Sequence, residues 1–147
     1  MVNESLREDA GEIVVRSGQR VPLRVVHLGK RGRGVVAERR IEAGELVERA
    51  PVVIVPHAER AAVDPTNVGN YIFLWEPGTT GEDIYRQEGR AAVVLGYASL
   101  VNHSGRPNCA FTRHFEALAL DLYAIRTIEE GEELTFDYGM TLWFEPE

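Results

Sequence analysis

The chain has 147 residues, 44% of them apolar and 27% charged, a balance typical of one compact domain that needs neither metal nor disulfide to fold. Its net charge of −7 at pH 7 argues against a general nucleic-acid binder, because neutralising phosphates requires a basic face. A single cysteine, Cys109, excludes an intramolecular disulfide and a multi-cysteine zinc site, and no run approaches the ~20 apolar residues of a membrane-spanning helix.

The opening stretch MVNESLREDAGE is polar and acidic, unlike a signal peptide, so an intracellular and cytoplasmic protein is expected. Residues 1–20 are expected to form a flexible arm with one short strand at Ile13–Arg16, ahead of a domain over residues 21–147. From Val21 onward, short apolar runs separated by glycines give a β-rich texture. The predicted strands are Leu23–Leu28, Gly34–Ala37, Leu46–Val55, Asn70–Trp75, Ala91–Leu95, Ala110–Arg113, Ala117–Ala124 and Glu133–Phe136. His57–Val63 is the one predicted helix, closed by Asp64 and Pro65, since proline restricts its predecessor and lacks an amide proton. Pro77–Gly81 (PGTTG) reads as a turn at a loop tip. With no long amphipathic helix to serve as a crossover, no parallel sheet is expected.

Two features of the chain have two readings each. The segment Ile41–Leu46 (IEAGEL) is echoed by Ile128–Leu134 (IEEGEEL), either as two unrelated hairpin turns or as elements in related positions of one fold. Of 16 basic residues only Lys30 is lysine, which follows from a GC-rich, bacterial-type genome or from an enzyme that acts on lysine and carries few of its own.

Four segments hold chemistry that a plain β domain does not need. Gly29–Gly34 (GKRGRG) lets a backbone approach a ligand closely and offers amide protons to an anion, although an ordinary glycine turn has the same composition. It lacks the Gly-Lys-Ser/Thr ending of a phosphate-binding loop. In Asn70–Trp75, strand alternation places Tyr71, Phe73 and Trp75 on one face, as core aromatics or as a site wall. Ser99–Cys109 concentrates Asn102, His103, Ser104 and Asn108 in a few residues, a composition suited to an irregular buried loop. That segment has no acidic orienter for a Ser–His hydrolase, and His27, His57 and His114 are not spaced with His103 as metal ligands. Finally, Gly131–Gly139 ends a strand in Tyr138 beside a glycine, exposing a hydroxyl at the strand terminus.

In this order the four segments resemble the SET-domain protein-lysine methyltransferases, over about Leu23 to Phe144. The resemblance implies a mainly β, β-clip-like SET fold with few short helices. Several small sheets would surround a pseudoknot-like loop threaded through Asn102–Cys109 and Leu134–Gly139. It implies S-adenosylmethionine as cofactor, no metal, and methyl transfer to a lysine of a basic protein, with histone, histone-like and ribosomal proteins as candidates. Matched residue by residue, Gly32, Arg33 and Gly34, with Lys30 adjacent, would hold the methionine part, and Asn102 and His103 the amino group and adenine. Tyr138 falls on the catalytic tyrosine. Tyr71, Phe111 and Phe136 would line the lysine channel, Tyr71 close to the chemistry.

Phenylalanine at 136 and 111, where tyrosine at 136 would restrict the product to monomethyl-lysine, points to di- or trimethylation. The chain departs from many relatives in having Gly105 after Asn-His-Ser, Ser99 where arginine is common, and no cysteine-rich segment after the last motif. Trp143 and Phe144 would instead cover the adenine or anchor the C-terminal segment to the core. Short viral and bacterial members share this layout, some of them as homodimers. The alternative from another class is a non-catalytic SET-like interaction module, against which Asn102, His103, Tyr138 and the glycine turn all count.

Overall fold

The computed structural model of the chain describes residues 6–9, 12–76 and 89–137, and these are mainly β. In chain order the strands are β1 (Leu6–Asp9), β2 (Glu12–Val15), β3 (Gly18–Gln19), β4 (Leu23–His27), β5 (Arg33–Ala37) and β6 (Leu46–Val55). After helix α1 (His57–Val63) come β7 (Phe73–Leu74), β8 (Ala91–Val94), β9 (Asn102–His103), β10 (Cys109–His114), β11 (Ala119–Ala124) and β12 (Thr135–Phe136).

β6 organises the largest sheet, whose order is β10-β11-β6-β8-β7, with β3 also paired to β6. Its first half pairs with β11, from Leu46↔Tyr123 to Pro51↔Ala119, and with β3 at Glu48 and Arg49; its second half, Val52–Val55, pairs with β8. Pro51, which cannot donate to a ladder, stands where the β3-paired stretch gives way to the β8-paired one. β10 alternates in burial along its length, with Cys109, Phe111 and Arg113 inward, as expected for a strand with one face on the core. β11, flanked on both edges, is buried at Ala119–Leu122.

The face of β11 opposite Leu120 and Leu122 carries a buried charge pair. Arg49 Nε and Nη2 donate to Asp121 Oδ1 and Oδ2, both at 2.6 Å, and His114 Nε2 lies 2.9 Å from Oδ2. Burial alone would raise the Asp121 carboxyl, but hydrogen bonds from Arg49 and His114 outweigh it and hold the group below its ordinary range.

The strand Leu46–Val55 and the helix His57–Val63 fall where the sequence predicted them. Three expectations are corrected. Asn70–Trp75 is not a continuous strand: Asn67–Tyr71 forms a 3-10 turn after Pro65, and only Phe73–Leu74 pairs with β8. Tyr71 is therefore 40% exposed while Phe73 and Trp75 are buried at 2% and 0%. Arg113 fastens this end of the sheet by donating to the carbonyls of Leu74 (2.9 Å) and Trp75 (3.1 Å).

Second, β9 and β12 form a short parallel pair, Asn102↔Thr135 and Phe136↔His103. The crossover that parallel strands require is supplied here by the β10–β11 hairpin in place of a helix. Third, the segment before Val21 holds more than one strand: β1 and β2 form a hairpin from Leu6↔Val15 to Asp9↔Glu12, and β3 joins the large sheet. The turn cluster Pro77–Gly81 lies outside the described residues.

Candidate functional site

The β4–β5 hairpin, running in register from Leu23↔Ala37 to His27↔Arg33, ends in a 3-10 turn at Gly29–Arg31. Leu28 donates to the Gly32 carbonyl at 2.6 Å and Gly32 to the Gly29 carbonyl at 3.0 Å, which closes the tip. The polypeptide that returns past this hairpin is the segment 132–134. Ala37 donates to the Glu132 carbonyl (3.0 Å) and Leu134 to the Val35 carbonyl (2.8 Å).

Between these two stretches sits Asn102. Its Nδ2 donates to the Arg33 carbonyl at 2.9 Å and to Glu133 Oε2 at 2.8 Å, so one side chain ties the hairpin tip to the segment before β12. Gly34 makes the arrangement possible. A Cβ there would stand 2.7 Å from Glu133 Oε2, 2.8 Å from Leu28 Cδ1 and 3.2 Å from Asn102 Nδ2, so these side-chain tips would have to shift and the Asn102–Glu133 pair with them.

A second asparagine holds the loop that follows β9. Asn108, 1% exposed, accepts from the Thr135 amide at Oδ1 (2.8 Å) and donates from Nδ2 to the Glu133 carbonyl (2.9 Å). Its own amide donates to the Thr135 carbonyl at 3.2 Å, and Ser104 donates to the Phe136 carbonyl at 3.0 Å. The dense polar composition of Ser99–Cys109 thus satisfies backbone groups of two segments at once. His103 stands exposed beside it, its Nδ1 3.9 Å from Asp137 Oδ1.

These elements enclose an open cleft of about 290 Å³. Of the residues expected at a cofactor site, Gly32, Arg33, Asn102 and His103 line it, and Tyr71 faces it from the 3-10 turn after α1. Asn70, Ser99 and Leu100 complete much of the wall. Gly34 is buried against Asn102, and Lys30 is exposed on the hairpin tip, outside the lining. Phe111 and Phe136 belong to the core, at 1% and 0% exposure. With Phe73 they form an edge-to-face trio whose centroids are 5.1, 5.7 and 5.4 Å apart. Neither forms part of the cleft wall. Tyr138, Trp143 and Phe144 lie outside the described residues.

Glu133 and Asn108 were not among the expected site residues, although both stand inside the quoted motifs. Asn108 had a signal, its place in an unusually polar segment between apolar runs. Glu133 had none, because a glutamate in a Glu-Glu run reads as solvated surface. Cys109 is buried, and burial pushes its thiol up to about 12, so it stays protonated at neutral pH.

A family model described as SET domain matches residues 32–139. Among curated proteins, the chain is similar to a Schizosaccharomyces pombe histone-lysine N-methyltransferase, H3 lysine-37 specific. The two are 31% identical over 129 residues, covering 87% of this chain and 80% of that protein. It is 29% identical over 158 residues to the Neurospora crassa histone-lysine N-methyltransferase, H3 lysine-9 specific dim-5, covering 91% of this chain but 46% of the relative. The solved structure of the Neurospora SET-domain protein DIM-5, a histone lysine methyltransferase, superposes with a TM-score of 0.63 at 28% identity, over 82% of this chain and 53% of that one.

Proposed function

This chain belongs to the SET-domain family of protein-lysine methyltransferases, and from that premise we propose that its cleft binds S-adenosylmethionine while a lysine of a histone or histone-like protein is methylated. One observation carries the assignment of the cleft. Gly32 and Arg33 from a hairpin tip, Tyr71 from the turn after α1, and Asn102 and His103 from β9 come from distant parts of the chain and line one opening.

The chemistry of that lining fits the cofactor. Arg33 offers a cation to a carboxylate, Asn102 and His103 offer polar backbone and side-chain groups to an amino group and an adenine edge, and Tyr71 offers an aromatic wall. The cleft is near the lower end of the roughly 300–1,000 Å³ of small-molecule sites. When bound, the cofactor supplies a methyl group on a positively charged sulfur, open to in-line displacement by a neutral amine.

The protein has to bring that amine into line and remove its proton. A free lysine has a pKa of about 10.4, and apolar, aromatic surroundings disfavour the ammonium form by desolvation. Tyr71 is the aromatic residue at the cleft that we assign to that environment, and Phe136 and Phe111, which lie in the core and not in the cleft wall, we assign behind it. Tyr138 we assign as the residue whose oxygen dipole would stabilise the methyl transfer, without acting as a nucleophile. Holding the amine in line with the methyl would convert an encounter into an aligned displacement and lower the barrier through orientation.

The proposed substrate class follows from two considerations. The relatives above are named for histone H3 lysines, and a net charge of −7 complements a basic segment. The test is calorimetric titration with S-adenosylmethionine and its demethylated product, then mass spectrometry of histone H3 peptides incubated with enzyme and cofactor. One-to-one binding weakened by Asn102→Ala, with a methylated lysine in the product, supports the reading. Absence of binding at millimolar cofactor, with a lysine peptide present, overturns it.

A further inference from the structure

Glu48 is a buried carboxyl group to which the methyl-transfer reading gives no part. It lies on β6 at 4% exposure, and both of its oxygens are engaged. Oε2 accepts from the Tyr97 amide at 2.8 Å and Oε1 from the Ala98 amide at 2.9 Å. Those amides open the 3-10 turn Tyr97–Leu100, and the first amides of any helical turn have no partner inside it. The turn leads without a break into Val101, Asn102 and His103, and its Ser99 and Leu100 stand in the cleft wall beside them. A second fastening is Ser99 Oγ, which donates to the Val94 carbonyl on β8.

The neighbouring glycine shows how closely the carboxylate is fitted. A Cβ on Gly96 would lie 2.3 Å from Glu48 Oε2 and 2.8 Å from its Cδ, so any larger residue displaces the carboxylate from the two amides. Burial pushes the Glu48 carboxyl above its ordinary range, against the pull of the same two hydrogen bonds. An apolar side chain of similar size would pack in this space without that cost. It could not fix the start of the turn.

We propose that Glu48 is a positioning residue for the cofactor cleft: by holding the amides of Tyr97 and Ala98 it keeps the Ser99–His103 wall preformed before any ligand arrives. Glu48 is not among the residues lining the cleft and acts through the turn alone. The assignment rests on the reading of the cleft as the cofactor site.

Glu48→Gln tests it. Glutamine keeps the shape and one acceptor but turns an NH₂ group toward the second amide, which loses its partner. At a temperature where circular dichroism shows the variant folded, affinity for S-adenosylmethionine should fall about tenfold, the loss of roughly one charged hydrogen bond. The KM of the lysine peptide should stay within about twofold, and hydrogen exchange at the Tyr97 and Ala98 amides should accelerate. Gly96→Ala, which pushes the carboxylate off the same amides, should reproduce the pattern, and it carries the test if Glu48→Gln does not fold. Wild-type cofactor affinity in a folded variant, whatever its melting temperature, overturns the proposal and leaves Glu48 a strut of the core. Equal losses for cofactor and peptide overturn it as well. Failure of the wild-type protein itself to bind cofactor is a different result, visible before any variant is compared, and it removes the cleft reading and this assignment together.

Discussion

Ile41 and Ile128 exchange backbone hydrogen bonds: the Ile41 amide donates to the Ile128 carbonyl at 2.8 Å, and the Ile128 amide returns the bond at 2.9 Å. The relation extends outward symmetrically. Gly44 donates to the Ala124 carbonyl (2.7 Å) and Gly131 to the Ala37 carbonyl (2.8 Å), while Ala124 donates to Glu45 and Ala37 to Glu132, both at 3.0 Å. Each turn is locked by the same side chain, Glu45 Oε1 on the Glu42 amide (3.1 Å) and Glu132 Oε1 on the Glu129 amide (3.0 Å). Each glutamate also takes an arginine, Arg39 at 2.6 Å and Arg126 at 3.2 Å. The sequence echo therefore corresponds to two like turns paired reciprocally through their backbones, in related positions of one fold.

The symmetry makes a paired prediction. Gly44 and Gly131 share a φ of +88°, where a side chain is strained by about 1–2 kcal/mol. Gly44→Ala and Gly131→Ala should each lower stability by that amount in urea titrations, with unchanged m-values. A large cost at one site and none at the other would show that the two turns are not equivalent.

Asn102→Ala removes the donor to both the Arg33 carbonyl and Glu133 Oε2. Loss of these partners should cost about 1–3 kcal/mol in stability and weaken cofactor binding at least about tenfold. Gly34→Ala, which forces the same pair apart from the other side, should give the same two effects. Calorimetry and thermal melts on both variants check this; intact cofactor affinity in either would detach the Asn102 tie from the cleft.

For the reaction itself, Tyr138→Phe should reduce methyl transfer by about 10² or more, the scale of losing one oriented dipole in an active site. Its affinity for the cofactor should stay within a fewfold of wild type. Equal loss of both would give Tyr138 a structural role. Comparing single-turnover rates with calorimetric affinities separates the two.

Phe136 stands edge-to-face with Phe73 and Phe111 at full burial. Under excess cofactor the wild-type enzyme should carry its product to di- or trimethyl-lysine, and Phe136→Tyr should shift the product toward monomethyl-lysine. Mass spectrometry of the peptide reads both. A wild-type enzyme that stops at one methyl would refute the expectation for this site.

The buried pair Arg49–Asp121 gives a pH dependence. Because Asp121 is held below its ordinary value in the folded state, its contribution is present above the unfolded pKa of about 3.9 and is lost as pH falls through the folded value. Stability should accordingly drop below about pH 4, and Asp121→Asn should flatten that part of the profile. At neutral pH the variant should be less stable by about 3–5 kcal/mol, since Arg49 is left buried without its counter-charge. Urea titrations at pH 3 to 7 test both, and parallel profiles for the two proteins would dismiss the assignment.

How much of this was legible in the sequence depends on the range of the interaction. Leu46–Val55 and His57–Val63 could be read to the residue because their boundaries are local, an apolar run in one case and Asp64-Pro65 in the other. The glycine turn and Asn102-His103 were legible as motifs, and they do meet at one cleft. Tyr71 was misplaced on a strand because its alternation with Phe73 and Trp75 is also local, whereas the turn that breaks it brings Gly69 against the Asp64 carbonyl, which alternation does not register. Glu48 was invisible: nothing around it in β6 signals that the amides it serves are those of Tyr97 and Ala98, elsewhere in the chain. Glu133 was hidden in the same way, its partner Asn102 being distant in sequence.

The parallel contact between β9 and β12 sets an order of assembly. Thr135 must have been synthesised before the two strands can meet, and the β10–β11 hairpin lies between them in the chain. The tie from Asn102 to Glu133 needs the same late segment. A chain emerging from the ribosome can thus complete the β10–β11 hairpin while Asn102 still lacks half of its anchorage, and contacts this distant in sequence close slowly. The Asn102 side of the cleft therefore depends on a segment 31 residues further along, and a chain truncated before Glu133 could not complete that tie.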